Sequence, residues 1–411
     1  MRRPFGVELP QGRDVRLVLA ASLASVVGDG VVPVAIAFAV LDLTGSATDL
    51  GLVLAVRALA LLGALLVGGV VADRFGRRAI MISADVVRLF AQGAIGILLV
   101  SGHATVAEIA GSQALLGVAS GFFDPASSGL IPAVAGEHLQ QANALRGIVY
   151  SAGSIAGPAI AGALVVTVGP GAALLLDAAS FAVSAMLLAG VRTPPRAQAA
   201  AQRFLTEMRE GFTELRSRTW AWTNILVFAF INMFTGAIYV LGPVVAKHQL
   251  GGPAAWAAVL AVTALGWLAG STALLRLTPR RPLLVAFLVS GLLLVFELLL
   301  AVHSLAVVLA GAFGAGVGVM VGNTLWETTL QANIPEHVRS RVAAYDWLGA
   351  FALVPVGYAL PGPVAAAIGV RATLLLFGGI ALVLLGLLFL VRDIRRMTRL
   401  PDGTYVKIIP E

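Results

Sequence analysis

The stretch Gly69-Val70-Val71-Ala72-Asp73-Arg74-Phe75-Gly76-Arg77-Arg78-Ala79-Ile80-Met81 ends one long apolar run and opens the next without a pause. An acid, a glycine and three arginines in so short a link make a water-facing hairpin between two membrane helices, because arginine side chains resist transfer into hydrocarbon. Loops rich in arginine and lysine stay on the cytoplasmic side, so this turn is expected there.

Composition reaches the membrane class independently. Hydrophobic residues make up 59 % of 411 and charged residues 12 %, against roughly half and a quarter in soluble domains. A water-soluble fold is excluded. The net charge of +7 and isoelectric point near 10.5 would suggest nucleic acid in a soluble chain, but here the basic residues must first be sorted by side of the membrane. The chain has no cysteine, which removes disulfides, thiolate chemistry and cysteine-ligated metals. Met1 to Arg16 is basic, yet the apolar run after it is long and lacks a small-residue cleavage site, so it is expected to remain as an anchor.

Apolar runs of about 20 residues, the length that spans a bilayer, lie near 16–41, 48–71, 79–101, 106–133, 141–167 and 171–191, and again near 220–246, 254–276, 282–302, 304–331, 341–361 and 370–391. With both termini cytoplasmic, 24 of the 28 basic residues fall on the cytoplasmic side; Lys247 and Arg371 fall outside, and Arg57 and Arg88 lie within spans. The expected organisation is a six-helix half over 1–191, a cytoplasmic linker over 192–219, a second six-helix half over 220–392 and a cytoplasmic tail over 393–411. In the linker, Phe204, Met208, Phe212 and Leu215 share one helical face and predict an interfacial helix.

Written as G-x-V-A-D-R-F-G-R-R-x-x-M, the opening stretch resembles the signature of the major facilitator superfamily, which lies between the second and third of twelve helices. Gly69, Asp73, Arg74, Gly76, Arg77 and Arg78 stand where that pattern wants them. The resemblance implies an all-α membrane protein of twelve transmembrane helices in two six-helix halves, with the loop acting as a gate and Asp346 of the eleventh span near it. Internal repetition agrees: Asp124 and Glu327 each follow an aromatic residue, Phe123 or Trp326, and each stand eight residues before a proline, Pro132 or Pro335. On the fifth span, Gly153-x-x-x-Gly157-Pro158-x-x-x-Gly162 puts small residues on one face and predicts close helix approach. It resembles the glycine-proline motif of the superfamily's antiporters, which implies a place between the halves. Further wording, such as Ala142-Asn143-Ala144-Leu145, is similar to the branch of macrolide-efflux proteins and enterobactin exporters.

Charges inside the spans carry the site expectations, since an unpaired one costs from about 3 to more than 10 kcal/mol. Asp29 and Arg57 each stand about 21 Å from the inner ends of antiparallel neighbours, so an ion pair is expected. Asp124 and Glu327 fall in helices that line the central cavity of the superfamily. Carboxyls buried without a cation exchange protons near neutral pH, so these four residues are the proton-coupling candidates. Asp85 and Arg88, three apart, are expected to satisfy each other. Glu297 is expected to be either protonated or lipid-facing. Phe122, Phe123, Asn232, Phe234, Asn323 and Trp326 are expected to line a large apolar cavity with sparse polar anchors.

No Gly-x-x-x-x-Gly-Lys-Ser/Thr phosphate loop is present, so ATP drive is not expected within this chain, and neither are a cofactor, a metal or chemical catalysis. The sequence reads as a secondary exporter in the cytoplasmic membrane, a proton antiporter for drugs or amphipathic molecules. Its expected partners are a small-molecule substrate, protons and membrane lipids, without nucleic acid, and its expected assembly is a monomer. The alternatives are a siderophore or lipid-like metabolite exporter, a membrane-embedded enzyme using Asp124 and Glu327, and a non-transporting receptor.

Overall fold

The computed structural model describes residues 12–192 and 211–400, apart from the side chains of Val70, Asp73, Glu137 and Ser340. Among the described residues, twelve helices are long and apolar enough to cross a membrane. They are α1 (Arg13–Thr44), α2 (Ala47–Phe75), α3 (Arg77–Val100), α4 (Val106–Ala135), α5 (Leu139–Thr167) and α6 (Pro170–Ala189), then α7 (Thr219–Leu250), α8 (Pro253–Leu274), α9 (Pro282–Leu299), α10 (Leu305–Asn333), α11 (Glu336–Ala359) and α12 (Val370–Leu388). The twelve-helix expectation therefore holds: this is a multi-pass membrane protein.

Local chemistry sets the ends. Prolines open α6, α8 and α9, where the missing N–H would lack a helical partner anyway. Thr105 and Glu108 close a capping box at the start of α4. Gly76 takes φ 95° in the link between α2 and α3, a conformation that a side chain would strain, and this lets the two helices reverse within one residue. α1 is interrupted after Asp29 and resumes at Val32.

The described residues divide into two compact units, one holding 12–43 and 56–192, the other 44–55 and 211–400. In the first, Val18, Met81, Ala126, Leu130 and Leu188 belong to one buried cluster. In the second, Trp220, Phe287, Leu325, Trp326 and Leu385 do the same. Large apolar side chains such as Leu66, Phe90 and Val383 lie exposed on helix surfaces, as expected where the surrounding solvent is lipid. The linker expectation falls mostly outside the described residues. Of its predicted face, Phe212 packs its ring 5.7 Å from that of Tyr345 and Leu215 is buried in the second unit's cluster. These two side chains pack against protein.

The small residues of α5 meet α1 at its interruption. A Cβ on Gly157 would lie 2.6 Å from the Cα of Gly30, and one on Gly153 would lie 2.5 Å from the Val26 side chain. Pro158 and Gly162 are buried on the same helix. The predicted close approach is thus made, but Gly153 and Gly157 pack against α1 of their own unit. By contrast, a Cβ on Gly69 would meet nothing within 4 Å. Gly157→Ala is therefore expected to lower stability by about 1–3 kcal/mol through overpacking, and Gly69→Ala to leave it within about 0.5 kcal/mol. Thermal unfolding of the two purified variants checks this; equal losses would contradict the packing.

Candidate functional site

The first unit contains a cavity of about 290 Å³ walled by Ser22, Ser25, Val26, Asp29 and Gly30 of α1, Arg88 of α3, Phe123 and Asp124 of α4, and Tyr150 and Ser154 of α5. The break in α1 places Asp29 on this wall, where Ser25 Oγ donates to its Oδ2 at 3.3 Å. Asp124 is open to solvent from α4. Two of the four proton-coupling candidates, together with the predicted Phe123, therefore share one small cavity. Phe122 is partly buried beside them.

Behind the cavity lies a buried polar network that joins α2, α3, α4 and α6. Arg57 Nη1 donates to Gln113 Oε1 at 3.2 Å, Gln113 Nε2 to Gln92 Oε1 at 3.3 Å, and Gln92 Nε2 to Asp177 Oδ2 at 2.8 Å. A second arm runs from Ser184 Oγ, which donates to Asp85 Oδ2 at 2.6 Å, through the Asp85–Arg88 pair at 3.6 Å, to Ser120 Oγ, which accepts from Arg88 Nη2 at 3.0 Å. The Arg88 guanidinium also lies 4.4 Å from the centre of the Phe123 ring and 5.3 Å from that of Phe181. Asp85, Arg88, Gln92, Gln113, Asp177 and Ser184 are all at most 2 % exposed, so each polar atom left without a partner carries its full desolvation cost.

Charge within this interior does not balance. Four carboxyls, Asp29, Asp85, Asp124 and Asp177, lie within the spans of this unit with three guanidiniums, Arg57, Arg88 and Arg146, and of these only Asp85, Asp177 and Arg88 are buried. Asp29 is near enough for its charge to act on the other three acids, and Arg57, Arg88 and Arg146 act on Asp124. Arg146, over the Tyr150 ring at 5.3 Å, enters from nearer the start of α5.

The expected Asp29–Arg57 ion pair is not formed. α2 turns Arg57 toward α4 and its Gln113, while α1 turns Asp29 toward the cavity. The loop signature acts inside the first unit. Arg77 donates to the Gly129 carbonyl of α4, and Arg78 donates to the carbonyls of Leu188 and Ala189 at the end of α6, where unsatisfied acceptors attract cations. Arg74 lies 5.7 Å from the Phe75 ring, and the Asp73 side chain falls outside the described residues. Asp346 was grouped with this loop, but it accepts from Trp326 Nε1 at 3.0 Å within the second unit.

In that unit, Trp326 also packs edge-on to Trp220 at 5.6 Å, Phe234 edge-on to Phe377 at 5.2 Å, and Asn232 Nδ2 donates to the Ala350 carbonyl at 2.9 Å. These three expected lining residues are thus engaged in helix packing, while Asn323 and Glu327 are exposed. Glu297 is fully buried, and no donor reaches either oxygen. It is not lipid-facing, because α9 turns it inward among α10 and α12.

Sequence reading missed Arg88, Tyr150 and Ser154 as cavity residues. The one available signal was a mid-span arginine, and it was absorbed by pairing with Asp85 on the same helix. A double-mutant cycle separates the two accounts of Arg57. Arg57→Met with Gln113→Leu should couple by about 0.5–2 kcal/mol in unfolding stability, and Arg57→Met with Asp29→Asn by less. The reverse order would contradict the geometry.

The family model described as Major Facilitator Superfamily matches residues 17–354. The chain is 28 % identical over 381 residues to the multidrug efflux pump Tap of Mycolicibacterium fortuitum, covering 87 % of this chain and 91 % of that protein. It is 28 % identical over 379 residues to Tap of Mycobacterium tuberculosis (strain ATCC 25618 / H37Rv), covering 87 % and 88 %. Among solved structures, the nucleoside transporter NupG aligns with a TM-score of 0.73 at 12 % identity over 92 % of this chain and 98 % of that one. A bacterial homolog of the human lysosomal transporter Spinster gives 0.73 at 14 % identity over 92 % and 97 %. These likenesses show the fold. Twelve spanning helices, the loop signature and a family match across most of the chain together establish that this protein belongs to the major facilitator superfamily.

Proposed function

We propose that the protein is a secondary exporter that couples outward movement of drugs or other amphipathic small molecules to inward movement of protons, by alternating access. The observation that carries this reading is a pair of carboxyls, Asp29 and Asp124, on the wall of one cavity in the first unit. Low dielectric makes the fully ionised pair costly, so the site favours added positive charge, supplied either by protons or by a cationic substrate. Two ligands that neutralise the same carboxyls disfavour each other, and by linkage each expels the other. Alternating access then carries them in opposite directions. The efflux pumps that share 28 % identity over most of the chain support export as the direction.

In this reading Asp124 and Asp29, which face the cavity, exchange protons with substrate, and the buried network behind them holds α3, α4 and α6 in register. Arg57 acts by holding Gln113. Glu327 and Asp346, on neighbouring helices of the second unit, supply acidity there. The signature loop serves as the gate, through the Gly129 carbonyl of α4 and carbonyls at the end of α6. The distribution of basic residues supports a cytoplasmic membrane location with both termini in the cytoplasm.

The test is pH-gradient-driven uptake of a cationic dye into inverted membrane vesicles. Asp124→Asn is expected to lower the initial rate by at least about tenfold at equal expression, since neutralising one exchanged group removes the competition on which coupling rests. Glu327→Gln should lower it less. A stable Asp124→Asn protein that accumulates dye at the wild-type rate would rule the mechanism out.

A further inference from the structure

The second unit has a cavity of its own, about 420 Å³ in volume, where α7 and α9 end and α12 begins. Arg371, His303 and Gln249 supply the polar side chains of its wall, and no carboxyl lines it. All three are exposed, and among the described residues no hydrogen bond or ion pair engages their side chains. A guanidinium, an imidazole and an amide each offer N–H groups, so the wall presents donors without a fixed acceptor. The surrounding sequence has the same sign. The links that close this end of the unit, 246–252, 300–304 and 360–369, contain no aspartate or glutamate, while Lys247, His248, His303 and Arg371 lie in or beside them. Asp49, at the start of α2, belongs to this unit but does not line the cavity.

Depth in the membrane narrows the ligand. α12 runs for 19 residues from Val370, about 28 Å, which matches the hydrocarbon thickness. Arg371 therefore stands at the edge of the hydrocarbon, level with lipid head groups. Much of the remaining wall is apolar, with Ile368, Leu374 and Leu375 in it. Along α12, Leu376, Val383 and Leu387 recur at helical spacing as an exposed apolar face. A free anion would use the donors and leave the apolar surface idle, whereas an anionic amphiphile uses both. Arg371 is also one of two basic residues that the orientation with cytoplasmic termini leaves at the outer end, against the general bias.

We infer that this cavity seats the head group of an anionic phospholipid of the outer leaflet. Its phosphate accepts from Arg371, and from Gln249 and His303 on the same wall, while an acyl chain follows the exposed face of α12. A planar guanidinium fork suits the paired oxygens of a phosphate, and basic pockets between membrane helices recognise anionic head groups in this way. The site is separate from the cavity of the first unit and does not depend on proton coupling.

The chain has no cysteine, so one introduced label reports on this site alone. Leu376→Cys of the full-length protein, at an exposed position about 8 Å along α12 from Arg371, is labelled with bimane and placed in phosphatidylcholine nanodiscs. Phosphatidylglycerol or phosphatidylcholine with a nitroxide near the top of one acyl chain is doped in at rising mole fraction, and contact quenching is read. Phosphatidylglycerol is expected to reach half-maximal quenching at a mole fraction about tenfold lower, roughly the worth of one charge-assisted hydrogen bond. Arg371→Gln in the labelled protein should bring the two lipids close together. Gln249→Leu, which changes no charge, should shrink the preference as well.

Equal quenching by the two lipids in Leu376→Cys alone would overturn the inference, as would a preference that survives Arg371→Gln. A preference lowered by Arg371→Gln but untouched by Gln249→Leu would reduce the site to diffuse attraction and overturn it too. Glycerol 1-phosphate tests the other source of the same anion. It is expected to relieve quenching no more than sodium chloride of equal ionic strength; greater relief would assign the donors to a soluble phosphate and overturn the lipid assignment.

Discussion

Hydrocarbon tolerates a carboxylate only where a proton, a metal or organic cation, or a guanidinium meets it, and the spans of the first unit carry Asp29, Asp85, Asp124 and Asp177 beside Arg57, Arg88 and Arg146. Asp85 and Asp177 are buried and receive fixed donors from Ser184 and Gln92. Asp29 and Asp124 border open volume instead. These are the two acids of the set that a solute in the cavity can reach.

Packing fixes one side of that arrangement through polar contacts. α3 is tied to α4 and α6 by the glutamine and arginine arms, and its first residues are tied to the Gly129 carbonyl of α4 by Arg77 and to the end of α6 by Arg78. α1, by contrast, is interrupted at the residue that carries its acid, and it meets α5 through backbone contact at Gly30 and Gly157. Asp29 therefore lies at a break in its helix, whereas Asp177 is held by the network.

Much of this was legible in the residues. Span length, the water-facing turn at Asp73 to Arg78 and the sorting of arginines give the helix count, and the rise per residue gives the depth of each buried charge. Rotation of a helix about its own axis is not legible when nearly every side chain is apolar, because hydrophobic periodicity no longer marks an inner face. Depth alone therefore pairs Asp29 with Arg57 although they turn apart, and spacing alone gives Arg88 to Asp85 although it also borders the cavity. Gly69 shows the same gap from the other side: the signature singles it out, while the space around it is open.

The central claim is that substrate and proton occupy the same carboxyls. Proton release on binding tests it most directly: a saturating cationic substrate is added to purified protein in weakly buffered solution, and the pH is followed while binding is measured in parallel. Shared carboxyls predict proton release on substrate binding, falling away as the solution is made alkaline enough to empty the site of protons beforehand. Saturable binding with no proton release at any pH would contradict the account.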